Sequence, residues 1–484
     1  MNLSTLFDLA NIPFNGSNGN MTVSGIAIDS RTVKANYVFI AIEGSTQDGH
    51  EYIDSAIKAG AIAVVVQKAA NYNEESVDLI KVSDSAKAAG LIASAYYGAP
   101  SEKVKLVGIT GTNGKTTTVT LLHQLFSLMG IRAGLISTVE NIIGTEVIPS
   151  THTTPDPVSL NELLAKMADG GCDYVFMEVS SHAAHQQRIS GLRFEGGVFT
   201  NMSHDHLDYH NTFDEYIAAK KSFFDGLRGE SFALVNVDDK RGMVMLQNTK
   251  AKQYTYSIRK SADFKGKIFE NTLEGLEMEI DQVHVHLRLI GEFNAYNVVC
   301  AYGVASLLGF SKTEILTGLS ALAGARGRFE TIRDINRGVL YIVDYAHTPD
   351  ALEKVLKTIH AMVTKQASLI SVVGCGGNRD GAKRPVMGGL AAKWSKEAIF
   401  TDDNPRKEDP VSITDAMQSG VAADDREKVL IINDRKQAIH TAFRLAKKGD
   451  IVLVAGKGHE TYQEINGVKH DFDDRKVIED IIGN

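Results

Sequence analysis

Residues 104–117 read VKLVGITGTNGKTT. An apolar run of strand length enters a glycine turn, and a helical pattern over 117–129 follows at once. In such a turn glycines let backbone N–H groups face phosphate oxygens, and the helix N-terminus adds its dipole. Gly111, Thr112, Asn113 and Gly114 would form the cradle. Lys115 would neutralise the outer phosphates of a nucleoside triphosphate, and the Thr116 hydroxyl, with Thr117 beside it, would ligate Mg²⁺. The strict motif requires glycine five residues before Gly114, where Ile109 stands, so this is a variant phosphate loop with Gly111 supplying the turn.

The same grammar extends outward. Apolar runs recur at 38–42, 61–66, 174–177, 232–237, 339–343, 369–373, 398–400 and 451–454. Helical patterns lie between many of them, at 160–167, 297–308, 351–363 and 438–446. Strands alternating with helices imply an α/β protein with mainly parallel sheets covered on both faces. The stretch 283–289 (VHVHLRL) alternates with period two and reads as a half-exposed antiparallel strand. Breaks fall after Gly98-Ala99-Pro100-Ser101 and at a polar turn over 333–338. They divide the chain into domains 1–100, 101–334 and 335–484, each a plausible domain size.

Composition narrows the function. Lys and Arg number 51 against 59 Asp and Glu, spread along 484 residues, which argues against a general nucleic-acid binder needing a basic face. Three cysteines, Cys172, Cys300 and Cys375, exclude a disulfide framework. Met1-Asn2-Leu3-Ser4 lacks the basic and apolar regions of a secretion signal, and no stretch reaches the ~18 apolar residues of a membrane span. A cytoplasmic protein without membrane insertion is the expectation.

Two further groups carry chemistry. The run 174–177 delivers Glu178 to the carboxyl end of a predicted parallel strand, where open α/β sheets place their ligands, and a polar turn through Ser180 and His182 follows. Within 204–210, His204, Asp205, His206, Asp208 and His210 invite a metal reading, or pair with one another in a polar loop. A dinuclear hydrolase would require His where Tyr209 stands. Lys220 and Lys221 lie in a helix-forming stretch and read by themselves as surface lysines.

Taken in order, GTNGKTT (111–117), EVSSH (178–182), DHLDYH (205–210) and DYAHTP (344–349) resemble the Mur ligases, ATP-dependent amide-forming enzymes of peptidoglycan precursor synthesis. The resemblance implies three α/β domains: a smaller uridine-nucleotide-binding one, a central phosphate-loop ATPase and a C-terminal Rossmann-like one for the incoming amino acid. By the same resemblance Glu178, His206, Lys220 and Thr116 hold magnesium, with Lys220 carried as a carbamate. CO₂ would turn a repelling cation into an anionic oxygen ligand. Asn294, Asn297, Arg328 and His347 match nucleotide contacts.

Asp29-Ser30-Arg31 with FIAIEG (39–44) resembles the family member that extends UDP-N-acetylmuramoyl-L-alanyl-D-glutamate by a diamino acid. Ser30, Ser45, Thr46 and Gln47 would then hold the UDP moiety. Thr153, Thr154, Ser180, Gln186 and Arg188 would hold the muramoyl-dipeptide. His152 stands where the family usually has Asn. Asp403-Asn404-Pro405-Arg406 resembles the motif of the branch that uses meso-diaminopimelate, with Arg379, Gly456 and Glu460 completing the pocket. A planar guanidinium can grip the distal carboxylate that diaminopimelate has and lysine lacks. The resemblance thus implies ATP and Mg²⁺ as cofactors, the UDP-linked dipeptide and meso-diaminopimelate as substrates, and a monomer. A lysine-adding ligase of the same family, a folylpolyglutamate-synthase-like ligase and a metal-dependent hydrolase are the competing readings.

Overall fold

The computed structural model describes residues 1–483 except 45–46, 69–76, 151, 204–208, 211 and 364–366. They fall into two compact units. One comprises Met1–Gly111, Leu122–Thr200 and Asp214–Thr255; the other comprises Thr112–Leu121, Asn201–Phe213 and Tyr256–Asn484.

The first unit contains a four-stranded parallel sheet of Gly25–Ala27, Tyr37–Ile40, Ala61–Val66 and Asp78–Lys81, in chain order. Ala61–Val66 (AIAVVV) is buried at every position because both faces are covered. Ala63 and Val65 join Leu3, Leu6, Phe7 and Ile92 on one side; Val64 and Val66 join Ile53 and Ala56 on the other. Asp84 starts the helix Ser85–Tyr96 by accepting from the Lys87 N–H at 2.9 Å.

A second sheet in this unit has the order Phe232–Asn236, Gly196–Phe199, Lys105–Thr110, Tyr174–Glu178, Ala133–Ile136, Glu140–Ile143, Glu146–Pro149. Its first five strands are parallel and the last two pair antiparallel. Lys105–Thr110 therefore lies inside the sheet, and its end is level with the end of Tyr174–Glu178, Ile109 standing opposite Glu178. Gly111 and Glu178 consequently emerge at the same carboxyl edge. Gly108 is required beneath them: a Cβ there would stand 2.7 Å from the Phe223 ring. That close approach seats the helix Phe213–Asp225, which carries Lys220.

In the second unit, Phe264–Thr272, Gly275–Ile280 and Val283–Leu287 form an antiparallel meander. The alternating stretch expected at 283–289 is its last strand, with Val285 and Leu287 buried between exposed histidines. A six-stranded sheet follows in the order Glu330–Asp334, Val339–Asp344, Ile451–Ala455, Leu369–Cys375, Glu397–Asp402, Val429–Ile431. Only its first pair is antiparallel. The polar turn read at 333–338 is thus the tip of a hairpin whose first arm, Glu330–Asp334, is itself a strand. Alternation along the strands builds two cores. Ile342, Val373, Phe400 and Leu453 pack with helices Pro349–Met362 and Lys383–Trp394, while Tyr341, Val372, Ile399 and Val452 pack with Arg435–Leu445 and Asp474–Gly483. Among the described residues, no helix is long and apolar enough to cross a membrane.

Candidate active site

The glycine turn is built as its sequence demands. Gly111 and Gly114 have φ of 148° and 87°, backbone that side-chain-bearing residues rarely adopt. Within the second unit, Asn201 braces the turn. Its carbonyl accepts from the Thr112 N–H at 2.8 Å, and its amide both accepts from the Asn113 N–H and donates to the Asn113 carbonyl, each at 3.0 Å. Lys115 opens the helix Lys115–Leu128, and its ammonium donates to the Thr112 carbonyl at 2.9 Å. Arg328 lies 4.4 Å over the Tyr345 ring and reaches the Thr116 hydroxyl at 3.3 Å.

The residues expected on the adenine side converge on this helix. Thr118 donates to Asn297 Oδ1 at 3.4 Å, Asn297 donates to Asn294 Oδ1 at 3.1 Å, and Asn294 donates to the Ile290 carbonyl at 2.8 Å. His347 Nδ1 stands 2.8 Å from the Tyr345 carbonyl, so the proton sits on that nitrogen. Asp344, buried beneath, accepts from the N–H groups of Phe329 and Ala346, and burial pushes its carboxyl above the ordinary range. Thus Thr116, Asn294, Asn297, Arg328 and His347 lie on one bonded neighbourhood of the second unit.

In the first unit, Glu178 is wholly buried at its strand end, and Thr138 donates to it through its N–H at 2.8 Å and its hydroxyl at 3.2 Å. The same hydroxyl accepts from the Thr153 hydroxyl, the two oxygens standing 3.0 Å apart. Thr154 donates to the Glu178 carbonyl and accepts from the Ser180 N–H; Ser180 in turn caps the short helix Ser181–His185. Arg188 donates to the Thr154 carbonyl at 2.7 Å and, with two nitrogens, to Gln186 Oε1. The five residues expected to hold the dipeptide are therefore linked around Glu178. Lys220 is buried, not a surface lysine: its ammonium donates to the Gly111 carbonyl at 2.9 Å and lies 4.8 Å from the centre of the Tyr216 ring. Ser30 starts a one-turn helix, Ser30–Thr32, capped by Asp29. The exposed Gln47 closes a turn by accepting the Gly44 N–H at 2.9 Å. Ser45, Thr46 and His206 lie outside the described residues.

A third group belongs to the carboxyl ends of the six-stranded sheet. Arg406 takes a left-handed backbone, φ 54°, between Pro405 and a backbone pairing with the strand Tyr462–Ile465. Its guanidinium donates to the Gly377 carbonyl at 2.8 Å and lies 3.4 Å from Glu464. Asn404 donates to Glu460 at 2.8 Å, and Asp403 and Asn404 both face the buried ammonium of Lys457. The Gly456 N–H donates to the Asp344 carbonyl at 3.0 Å. Arg379 is exposed and makes no hydrogen bond among the described residues.

Several participants were not singled out by sequence. Thr138 and Asn201 each come just after the end of a parallel strand, which is the signal that could have found them. Lys457 likewise follows the parallel strand Ile451–Ala455 by two residues, whereas Glu464, inside the strand Tyr462–Ile465, carries no such mark.

Family models match in three blocks: residues 22–97 to the Mur ligase family catalytic domain, 109–305 to the Mur ligase middle domain, and 327–458 to the Mur ligase glutamate ligase domain. A protein of Cytophaga hutchinsonii named UDP-N-acetylmuramoyl-L-alanyl-D-glutamate–2,6-diaminopimelate ligase is 56% identical over 96% of this chain and 95% of its own. The chain belongs to the Mur ligase family. A protein of the same name from Phocaeicola vulgatus is 52% identical over 96% of this chain and 95% of its own. A solved structure of a ligase with that name superposes with a TM-score of 0.70 at 32% identity, covering 100% of this chain and 99% of that one. As a Mur ligase the chain is an ATP-dependent ligase of the enzymes that build UDP-N-acetylmuramoyl peptides, and the three-domain α/β architecture of the family is its fold class.

Proposed function

We propose that this Mur ligase joins meso-2,6-diaminopimelate to UDP-N-acetylmuramoyl-L-alanyl-D-glutamate at the expense of ATP, in the cytoplasm and as a monomer, during peptidoglycan precursor synthesis. The observation that carries the choice of amino acid is the seating of Arg406. Its backbone is pinned in a left-handed conformation and one nitrogen is tied to the Gly377 carbonyl, so the guanidinium is presented in a fixed attitude. Nε faces Glu464 at 3.4 Å, and Nη2 is left for a ligand carboxylate.

The chemistry follows from a carboxylate being a poor acyl donor. An oxygen of the D-glutamyl γ-carboxylate attacks the γ-phosphorus of ATP; an O–P bond forms and ADP leaves. The amino nitrogen of diaminopimelate then attacks the acyl carbon, the C–O bond to phosphate breaks, and the amine proton passes to solvent. No residue forms a covalent bond to substrate, so the protein contributes positioning and charge neutralisation. We assign Gly111, Thr112, Asn113, Gly114, Lys115, Thr116 and Thr117 to the triphosphate. Asn294 and Asn297 take the adenine end, with Arg328 and His347 as further nucleotide contacts. Thr153, Thr154, Ser180, Gln186 and Arg188 hold the dipeptide, and Ser30, Ser45, Thr46 and Gln47 the UDP. Asp403, Asn404, Pro405, Arg406, Arg379, Gly456 and Glu460 take the amino acid. Domains 1–100, 101–334 and 335–484 are the proposed divisions.

Glu178, His206, Thr116 and Lys220 are the residues we assign to magnesium. A buried carboxylate at a strand end is the hard oxygen donor that Mg²⁺ prefers, which supports the fit of Glu178. As an ammonium, Lys220 can only donate, as it does to Gly111; as a carbamate it would offer an anionic oxygen. Bound there, the metal supplies positive charge against phosphate oxygens.

The test is ADP release by the purified chain with the UDP-linked dipeptide and either meso-diaminopimelate or L-lysine. Turnover with diaminopimelate and little with lysine is expected. Comparable rates with lysine would defeat the reading of Arg406, and ATP turnover independent of any amino acid would defeat the ligase assignment.

A further inference from the structure

Lys457 is completely buried, yet none of the roles above uses it. Its three ammonium hydrogens face three acceptors: Asn404 Oδ1 at 3.1 Å, Glu460 Oε2 at 3.1 Å and Asp403 Oδ1 at 3.5 Å. The Tyr462 ring closes the site at 5.6 Å from its centre. Burying an ammonium is costly unless geometry and pairing repay it. Here all three acceptors belong to the residues assigned to the incoming amino acid.

The arrangement fixes two orientations. Asn404 Oδ1 accepts from Lys457 and also from the Glu464 N–H at 2.9 Å, so its Nδ2 must face an acceptor, and it donates to Glu460 Oε2 at 2.8 Å. Glu460 Oε2 is then engaged by two donors, while Oε1 makes no hydrogen bond among the described residues. A free carboxylate oxygen is thus held at a set angle, ready for a ligand ammonium. Lys457 spends its hydrogens on protein acceptors, so it acts on a ligand through Asn404 and Glu460.

We infer that Lys457 is a positioning residue that sets amino-acid specificity: it aligns the Asn404–Glu460 pair and offsets the negative charge of Asp403 and Glu460. A distal end bearing both ammonium and carboxylate is accepted, and one bearing ammonium alone is not. Removing Lys457 makes the cluster more negative by one charge. That change opposes the carboxylate of diaminopimelate and favours the bare ammonium of lysine.

The inference rests on the diaminopimelate reading, so the wild-type chain is assayed first; failure to use diaminopimelate there would defeat that reading, not the role of Lys457 in it. Lys457→Met and Lys457→Gln are then compared by steady-state kinetics, with ATP as an internal reference. The glutamine variant keeps an amide donor and lacks the charge, and serves if the methionine variant does not fold. The expected result is a rise of at least about tenfold in KM for diaminopimelate, kcat and the KM for ATP within about threefold, and a rise of about tenfold or more in the lysine-to-diaminopimelate ratio of kcat/KM. A folded variant with an unchanged ratio would overturn the inference. So would a parallel loss for both amino acids and ATP, which a merely structural role would give.

Discussion

Replacing Arg406 by Gln tests the choice of amino acid most directly. The left-handed backbone at 406 is already occupied by a residue with a side chain, so Gln inherits the same local strain and adds none. The protein loses a hydrogen bond to the Gly377 carbonyl and a 3.4 Å approach to Glu464. Both side chains of that ion pair are partly exposed, at 21% and 26%, so the cost to stability is about 0–1 kcal/mol. The cost to substrate is larger. Removing one partner of a charged pair at a desolvated contact costs about 2–5 kcal/mol, and the partial exposure of Arg406 places it in the lower half, about 2–3 kcal/mol. At about 1.4 kcal/mol per tenfold, kcat/KM for meso-diaminopimelate should fall by about 30- to 150-fold. The measurement is coupled ADP release at saturating ATP and UDP-dipeptide, with L-lysine as control. The low rate with lysine should hold or rise, because its distal ammonium no longer meets a like charge. A drop of less than about threefold with diaminopimelate, or equal losses with both amino acids, would refute the reasoning.

Other outcomes follow from the same geometry. Lys220→Arg keeps a cation beside the Gly111 carbonyl but cannot form a carbamate. Turnover should drop by about 10²-fold or more with the circular dichroism spectrum unchanged, and wild-type turnover would remove the carbamate assignment. Asp474→Asn strips the partner from Arg435, a guanidinium with no exposed surface that also donates to the Asp402 and Ala455 carbonyls. Urea unfolding should show a loss of about 3–5 kcal/mol, and a loss under about 1 kcal/mol would contradict the burial of that charge. Burial pushes the thiols of Cys300 and Cys375 up to about 12. Neither should react with a disulfide reagent at pH 8 until the chain is unfolded, and fast labelling of either in the native protein would contradict its packing.

How much of this was legible depended on how many faces of a strand are covered. Ala61–Val66 and Ile451–Ala455 sit between helices, so their sequences are unbroken apolar runs that stand out by eye. Edge strands stand out less. Glu146–Pro149 and Val429–Ile431 are short and largely exposed, and Glu330–Asp334 (ETIRD), the outer arm of a hairpin, has Ile332 as its one apolar residue. A one-sided strand of five residues has too few buried positions to separate itself from a polar turn, which is why Glu330–Asp334 did not stand out as a strand.

The site divides along a similar line, but for an electrostatic reason. The glycine turn and Glu178 are local: the strand, the turn and the helix that define them are contiguous, so spacing alone carries the chemistry. Lys220 and Lys457 are not. Lysine is almost never fully buried unless paired; Lys220 has no acidic partner beside it in the sequence, and Lys457 has only Glu460 three residues on, so each reads in sequence as a solvated cation. Lys220 finds its acceptor at Gly111, on a strand–helix turn 109 residues earlier, because Gly108 lets its helix close onto the sheet. Lys457 finds Asp403 and Asn404, 54 and 53 residues earlier, at the end of Glu397–Asp402. That strand and Ile451–Ala455 are not even neighbours; Leu369–Cys375 lies between them. The desolvation that makes such a cation consequential is created only when separate strands bring their carboxyl ends to one edge. A buried charge of this kind is therefore written mainly in strand order: a short window around Lys457 contains Glu460, but not the Asp403 and Asn404 that complete its burial.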